Sequence, residues 1–262
     1  MSTGFITPAV AGKTDTIVVG SVFGGSVHAP FHRSSLMMLA HELRRPDGER
    51  KLARQVSCQG VYVASNRQSI STRFYRDPAE VPWLLFIDSD IEFPQDFLDT
   101  VLSLAAVQRA KILAVNVPLG KHPTSAYVTT EEPGIFANLY PLPNEQVFPV
   151  DAAATAVMLI HADVFQAIAE AHGQCWFNHS YIPWIPKGRP ETMAETRFRE
   201  IGEDLAFCIR AKSVGFQTWV AQKVEGVRHH KTRPLSDTGI EEQAGVAEAL
   251  FEGEQGELVR EV

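Results

Sequence analysis

At 262 residues the chain is long enough for one large α/β domain, and 45% hydrophobic with 21% charged residues describes a globular protein with a sizeable core, not a disordered or fibrous one. Its formal charge of −7 does not exclude a phosphate-bearing ligand: residues 236–262 hold eight acids and one base and so carry the whole excess, and the remainder balances at 23 basic against 23 acidic residues. Cys58, Cys175 and Cys208 are widely spaced and odd in number, which speaks against a disulfide framework or a zinc knuckle, and no apolar run reaches the roughly 18 residues of a membrane span. With no basic-then-apolar leader at the N-terminus, the reading is a cytoplasmic protein.

In chain order, TDTIVVGSVF (14–23) reads as a buried strand that opens into a Gly24-Gly25 loop. Residues 34–43 place Leu36, Leu39, Ala40 and Leu43 at helical spacing, so that face is expected to be the buried one. VSCQGVYVAS (56–65) reads as a second strand and residues 66–75 as a helix. VPWLLFID (81–88) is the strongest strand signal in the chain and is expected at the centre of a parallel sheet. Pro94 suits the first turn of the following helix, in which Phe97, Val101, Leu104 and Ala105 share a face.

ILAVNVPL (112–119) is the next strand, and residues 121–149 are rich in Pro, Gly and Asn and so mostly loop with short strands. Residues 148–171 read as a strand feeding a helix, and an aromatic, Pro-rich stretch (175–190) follows. GEDLAFCIRAKSVG (202–215) is an amphipathic helix with Leu205, Cys208 and Ile209 on one side, and FQTWVA (216–221) a short strand. The alternation implies a doubly wound, mostly parallel sheet with a smaller mixed half, over a single domain of residues 1–235. Residues 236–262 form an acidic tail expected to be peripheral.

The chemistry begins where VPWLLFI runs out, at Asp88-Ser89-Asp90. Ligands of open parallel sheets bind at the carboxyl ends of strands, and two carboxylates one residue apart suit a hard divalent cation, Mn²⁺ or Mg²⁺, that also takes phosphate oxygens. A plainer reading is that the two acids only shape the turn and favour the next helix.

LLFIDSDIEFP, GEDLAFCIRAKSVGF and RHHK, in that order and spacing, resemble the D-x-D, the acidic helix start and the closing histidine of GT-A glycosyltransferases, closest to small family-2-like enzymes of bacteria and phages. The resemblance covers roughly residues 15–233. It implies a GT-A fold, a nucleotide-diphosphate sugar donor and the following roles. Asp90 is the direct metal ligand, and Asp88 touches the ribose or the metal through water. His229 completes the metal site, with His230 as the adjacent alternative. Asp204 is the general base, with Glu203 a weaker candidate, although both acids could simply complement a helix N-terminus.

Arg67 falls where relatives often carry an Arg-Asn pair that meets the donor, with a solvated helix-surface arginine as the plainer reading, and Gln68 departs from that pattern. Residues 21–28 are where the donor base is expected. Relatives often have a Gly-Thr-Gly turn where this chain has Ala152-Ala153-Ala154-Thr155-Ala156, and Asp151 beside it lines the sugar pocket or holds its own loop. Trp176, Phe177, Tyr181 and Trp184 either form an acceptor platform or plug the sheet. Lys187, Arg189, Arg197 and Arg199 could meet phosphates, as could Arg44, Arg45, Arg50, Lys51 and Arg54 if they form a patch and not just an exposed charged connection.

The acceptor is open among a saccharide, a lipid-linked sugar, a protein and a modified DNA base. Competing readings are a nucleotidyltransferase of similar fold, a non-catalytic nucleotide-sugar-binding protein and a HAD phosphohydrolase, the last disfavoured by Glu92 two residues beyond the second Asp.

Overall fold

The computed structural model describes residues 15–24, 27–77, 81–118, 124–132, 134–184 and 197–230. The elements run β1 (Ile17–Phe23), α1 (Ala29–Arg44), β2 (Leu52–Gln59), α2 (Val63–Tyr75), β3 (Trp83–Asp88), β4 (Ile91–Glu92), α3 (Phe97–Gln108) and β5 (Ile112–Val115). Then come β6 (Ala126–Thr129), β7 (Phe136–Asn138), β8 (Val147–Val150), β9 (Ala152–Ala153), β10 (Val157–His161), α4 (Ala162–His172), β11 (Ser180–Trp184), β12 (Arg197–Ile201), α5 (Glu203–Ser213), β13 (Thr218–Ala221) and β14 (Arg228–His229). No helix among the described residues is long and apolar enough to cross a membrane.

Seven strands form the central sheet in the order β2-β1-β3-β10-β5-β13-β8. β1 pairs parallel with β2 and β3, and β5 with β13, while β10 and β8 run antiparallel to their neighbours, so five of the seven strands point one way. The sheet is thus mostly parallel, as expected, but β3 is parallel to β1 on one side and antiparallel to β10 on the other. β10 and β8, the two antiparallel members, both come from the second half of the chain, where mixed strands were expected.

Alternation along the strands sends side chains to two cores, one on each face. Leu84 and Phe86 of β3 face a core built with Ile70 and Phe74 of α2, Phe165 of α4 and Phe207 and Cys208 of α5. Leu85 and Ile87 face the other, with Phe31 and Met38 of α1 and Phe97, Leu98 and Val101 of α3. The result is an α/β/α sandwich. Antiparallel pieces make the mixed half: a three-stranded sheet β7-β6-β9, the ribbon β11-β12 and the ribbon β4-β14.

Three expectations need correction. In α1 the buried residues are Phe31, Ser34, Met38 and Glu42, whereas Leu36 and Leu43 lie in solvent. Polar side chains win that face because each has a backbone partner: Glu42 accepts from the amides of Lys51 and Leu52, and Ser34 Oγ from the amide of Phe93. Next, the second strand ends at Gln59, and Val61-Tyr62-Val63 are exposed at the turn into α2, which begins three residues earlier than expected. Last, Pro94 precedes α3 by three residues and accepts a turn hydrogen bond from Phe97.

Candidate active site

The site forms at the carboxyl edge of β1 and β3, where Val22 registers beside Asp88. One feature of β1 brings α2 close. A Cβ on Gly20 would stand 2.9 Å from Ile70 Cγ2, so the helix packs directly over bare backbone. That approach delivers Arg67 to the strand end.

Arg67 is 4% exposed. Its Nη2 donates to both Asp88 oxygens, at 2.9 and 3.0 Å, and its Nη1 donates to Glu203 Oε1 at 2.7 Å. A buried guanidinium costs free energy unless it is paired, and here two carboxylates from distant elements meet its planar fork. Burial pushes Asp88 up to about 6 even though Arg67 opposes the shift. Asp204, at the start of α5, is likewise raised by burial and by the charge of Glu203 beside it, with Arg67 again opposing. Its carboxylate accepts from the amide of Leu205 at 2.9 Å.

The second carboxylate of the triplet has a different partner. β4 and β14 pair antiparallel, with His229 opposite Ile91 and Arg228 opposite Glu92, and this ribbon sets His229 Nε2 3.1 Å from Asp90 Oδ2. His230 turns the other way, with its Nε2 2.9 Å from Glu92 Oε2, while its amide donates to the carbonyl of Asp90. Arg33 also pairs with Glu92. A carboxylate beside an imidazole offers one oxygen and one nitrogen donor to a divalent cation. Asp88 does not join them: its oxygens go to Arg67, and Asp88, Asp90 and His229 do not all meet within 4.8 Å of one another.

The acid and imidazole group that is this tight among the described residues lies elsewhere, at His41, Glu42 and Asp99. Arg45 occupies its centre, with Nη1 3.0 Å from Asp99, Nε 3.3 Å from Glu42 and Nη2 2.9 Å from His41. It is a salt-bridge cluster.

Asp151 is held apart from the site residues. One oxygen accepts from the amide and hydroxyl of Thr129, at 2.8 and 2.9 Å, and the other faces Lys212 Nζ at 2.5 Å, so it fastens β6 to the far end of α5. The Lys212 ammonium first, and then the Thr129 amide, lower its pKa from the usual carboxylate value. Trp176 and Phe177 are fully buried, with the Phe177 ring stacked on Phe207, so they plug the sheet and offer no platform. Tyr181 is exposed; the side chains of Trp184 and Arg197 lie outside what the structure describes, as do Lys187, Arg189, Gly25, Ser26 and the tail 236–262.

The basic patch does not form. Arg45, Arg50, Lys51 and Arg54 each pair with an acid, namely Asp99, Asp47, Asp15 and Asp77.

Two contributors escaped the sequence reading. Gln68, noted only as a departure, accepts from the amide of Phe177 and donates to the carbonyl of Gln174, so it clamps the loop that precedes β11. His179 lies 3.6 Å from Glu203 Oε2 and pairs with Glu200. Its only sequence signal was its place among the aromatics that drew attention instead.

No protein-family model matches the chain, and no curated protein sequence matches it either. Among solved structures it is similar to the A197 protein from STIV, with 14% identity over 84% of this chain and 97% of that one and a TM-score of 0.46. It is also similar to S. aureus TarS 1–349, solved in complex with UDP-GlcNAc, with 12% identity over 84% of this chain and 59% of TarS and a TM-score of 0.44. Both likenesses are distant.

Proposed function

We propose that the protein is a metal-dependent glycosyltransferase of GT-A type, which moves a sugar from a nucleotide-diphosphate donor to an acceptor hydroxyl. The observation that carries the reading is the meeting, at one strand edge, of three separate pieces of chain. Asp90 stands beside His229, and Asp88 is tied through Arg67 to the helix start that holds Asp204. The D-x-D, GED and closing-histidine motifs lie at these positions.

In this reading Asp90 and His229 hold Mn²⁺. When bound, the cation supplies positive charge to the leaving diphosphate. Asp204 accepts the acceptor hydroxyl's proton while that oxygen bonds to the anomeric carbon and the nucleoside diphosphate departs with the bonding pair. Burial raises Asp204 and makes it a stronger base than an ordinary carboxylate. Asp88 faces the donor's ribose.

The test is a panel of nucleotide sugars screened by thermal shift with and without Mn²⁺, followed by donor hydrolysis. A Mn²⁺-dependent shift with release of free sugar supports the transferase. Binding without release would indicate a nucleotide-sugar-binding protein, and pyrophosphate release from a nucleoside triphosphate would indicate a nucleotidyltransferase.

A further inference from the structure

We infer that Arg67 is a positioning residue that divides the labour among the clustered carboxylates: it engages Asp88 and Glu203, and so leaves Asp90 to the metal and Asp204 to the proton. The inference rests on the transferase reading above and deepens it. Four acids, Asp88, Asp90, Glu203 and Asp204, gather at this edge, and chemistry alone does not distinguish them. Arg67 does so by geometry. Its fork is rigid, and the two nitrogens it presents to the site both have fixed partners: Nη2 donates to the two oxygens of Asp88 and Nη1 to Oε1 of Glu203.

A carboxylate oxygen that accepts a charge-assisted hydrogen bond from a buried arginine is held in place and turned toward that partner, and both oxygens of Asp88 and one of Glu203 are held so. Glu203 is held further by His179 on its other oxygen. Asp204 is one residue away, yet its hydrogen bond is to the Leu205 amide and not to Arg67. Through this one guanidinium the end of β3, at Asp88, is tied to the start of α5, at Glu203.

The inference makes turnover and metal affinity respond in opposite directions. Removing a cation beside Asp88 frees that carboxylate and strengthens the local negative field, so Arg67→Gln is expected to bind Mn²⁺ alone several-fold more tightly while kcat falls at least tenfold. A residue that only supported the fold would weaken both. Arg67→Lys keeps the charge, but one ammonium does not span both carboxylates; Mn²⁺ affinity stays near the parent value and kcat still falls at least tenfold. Glu203→Gln retains a hydrogen bond to Arg67 and loses less than about tenfold, and that loss disappears in the Arg67→Lys background.

Mn²⁺ affinity is read from the paramagnetic resonance of the free ion, which needs no donor or acceptor. The inference is overturned if Arg67→Gln binds Mn²⁺ more weakly, if Arg67→Lys retains full turnover, or if Glu203→Gln costs as much as Asp204→Asn. Should Arg67→Gln fail to fold, the lysine and glutamine variants decide. Failure of the transferase reading looks different: no donor is turned over by the parent protein, while the coupling of Arg67 to Glu203 still appears in a double-mutant cycle of melting temperatures.

Discussion

His229 Nε2 stands 3.1 Å from Asp90 Oδ2, while His230, the next residue, turns its ring to Glu92. The two adjacent histidines thus face different acidic partners. Asp90→Ala and His229→Ala are each expected to abolish Mn²⁺-dependent binding of a nucleoside diphosphate, and His230→Ala to leave it within about threefold. Titration calorimetry with Mn²⁺ and with EDTA checks this; binding that persists in EDTA would refute the metal site.

Asp204→Asn keeps the side chain's size and removes its basicity. Turnover should fall by about 10²-fold or more with donor affinity unchanged, in keeping with the usual contribution of a general base. Because burial raises the pKa of Asp204, a reaction that uses it as the base should lose kcat on the acid side at a higher pH than an exposed aspartate would give. A kcat profile that is flat down to the normal aspartate range would count against the assignment.

Gly20 is the hinge between packing and chemistry. A methyl group there meets Ile70 Cγ2 at 2.9 Å and pushes α2, with Arg67, away from Asp88. Gly20→Ala is expected to cost about 1–3 kcal/mol, the usual range for overpacking, and to lower kcat along with stability. Val19→Ala, one residue before it and packed in the core on the opposite face of the sheet, removes volume away from α2 and serves as the control; if the two variants lose equal activity per unit of stability, the geometric explanation fails.

Trp176 is buried among Phe165 and Tyr75, and its indole donates to the carbonyl of Phe165 at 2.9 Å. Trp176→Ala should cost about 3–5 kcal/mol, measured by urea denaturation. A loss below 1 kcal/mol would show that the segment before β11 contributes little to the core.

Burial pushes the Cys208 thiol up to about 12, from 9.0. A group that holds its proton more tightly when folded adds stability that is fully present below the unfolded value and is lost as pH rises from about 9 to about 12. At pH 8 the native protein should therefore expose only Cys58 and Cys175 to a thiol reagent, with Cys208 reacting after denaturation. Mass spectrometry of the labelled protein decides it.

The strand VPWLLFID announced both its own burial and the position of the D-x-D, because a continuous apolar run that ends in acids has few other places in an α/β sheet. The alternation of strands with amphipathic helices likewise disclosed the layered architecture, and the motif spacing singled out Asp90, Asp204 and His229 as candidates. Local pattern did not reach the face of α1, where Ser34 and Glu42 are buried because backbone amides some 9 to 59 residues away need acceptors. Nor did it reach the direction of β10 or the plug formed by Trp176 and Phe177. Arg67 is the clearest case. In sequence it is one arginine on a helix; only folding brings it to Asp88 and, 136 residues along, to Glu203, because the partners of a buried charge are set by which elements pack together and not by which residues are neighbours in the chain.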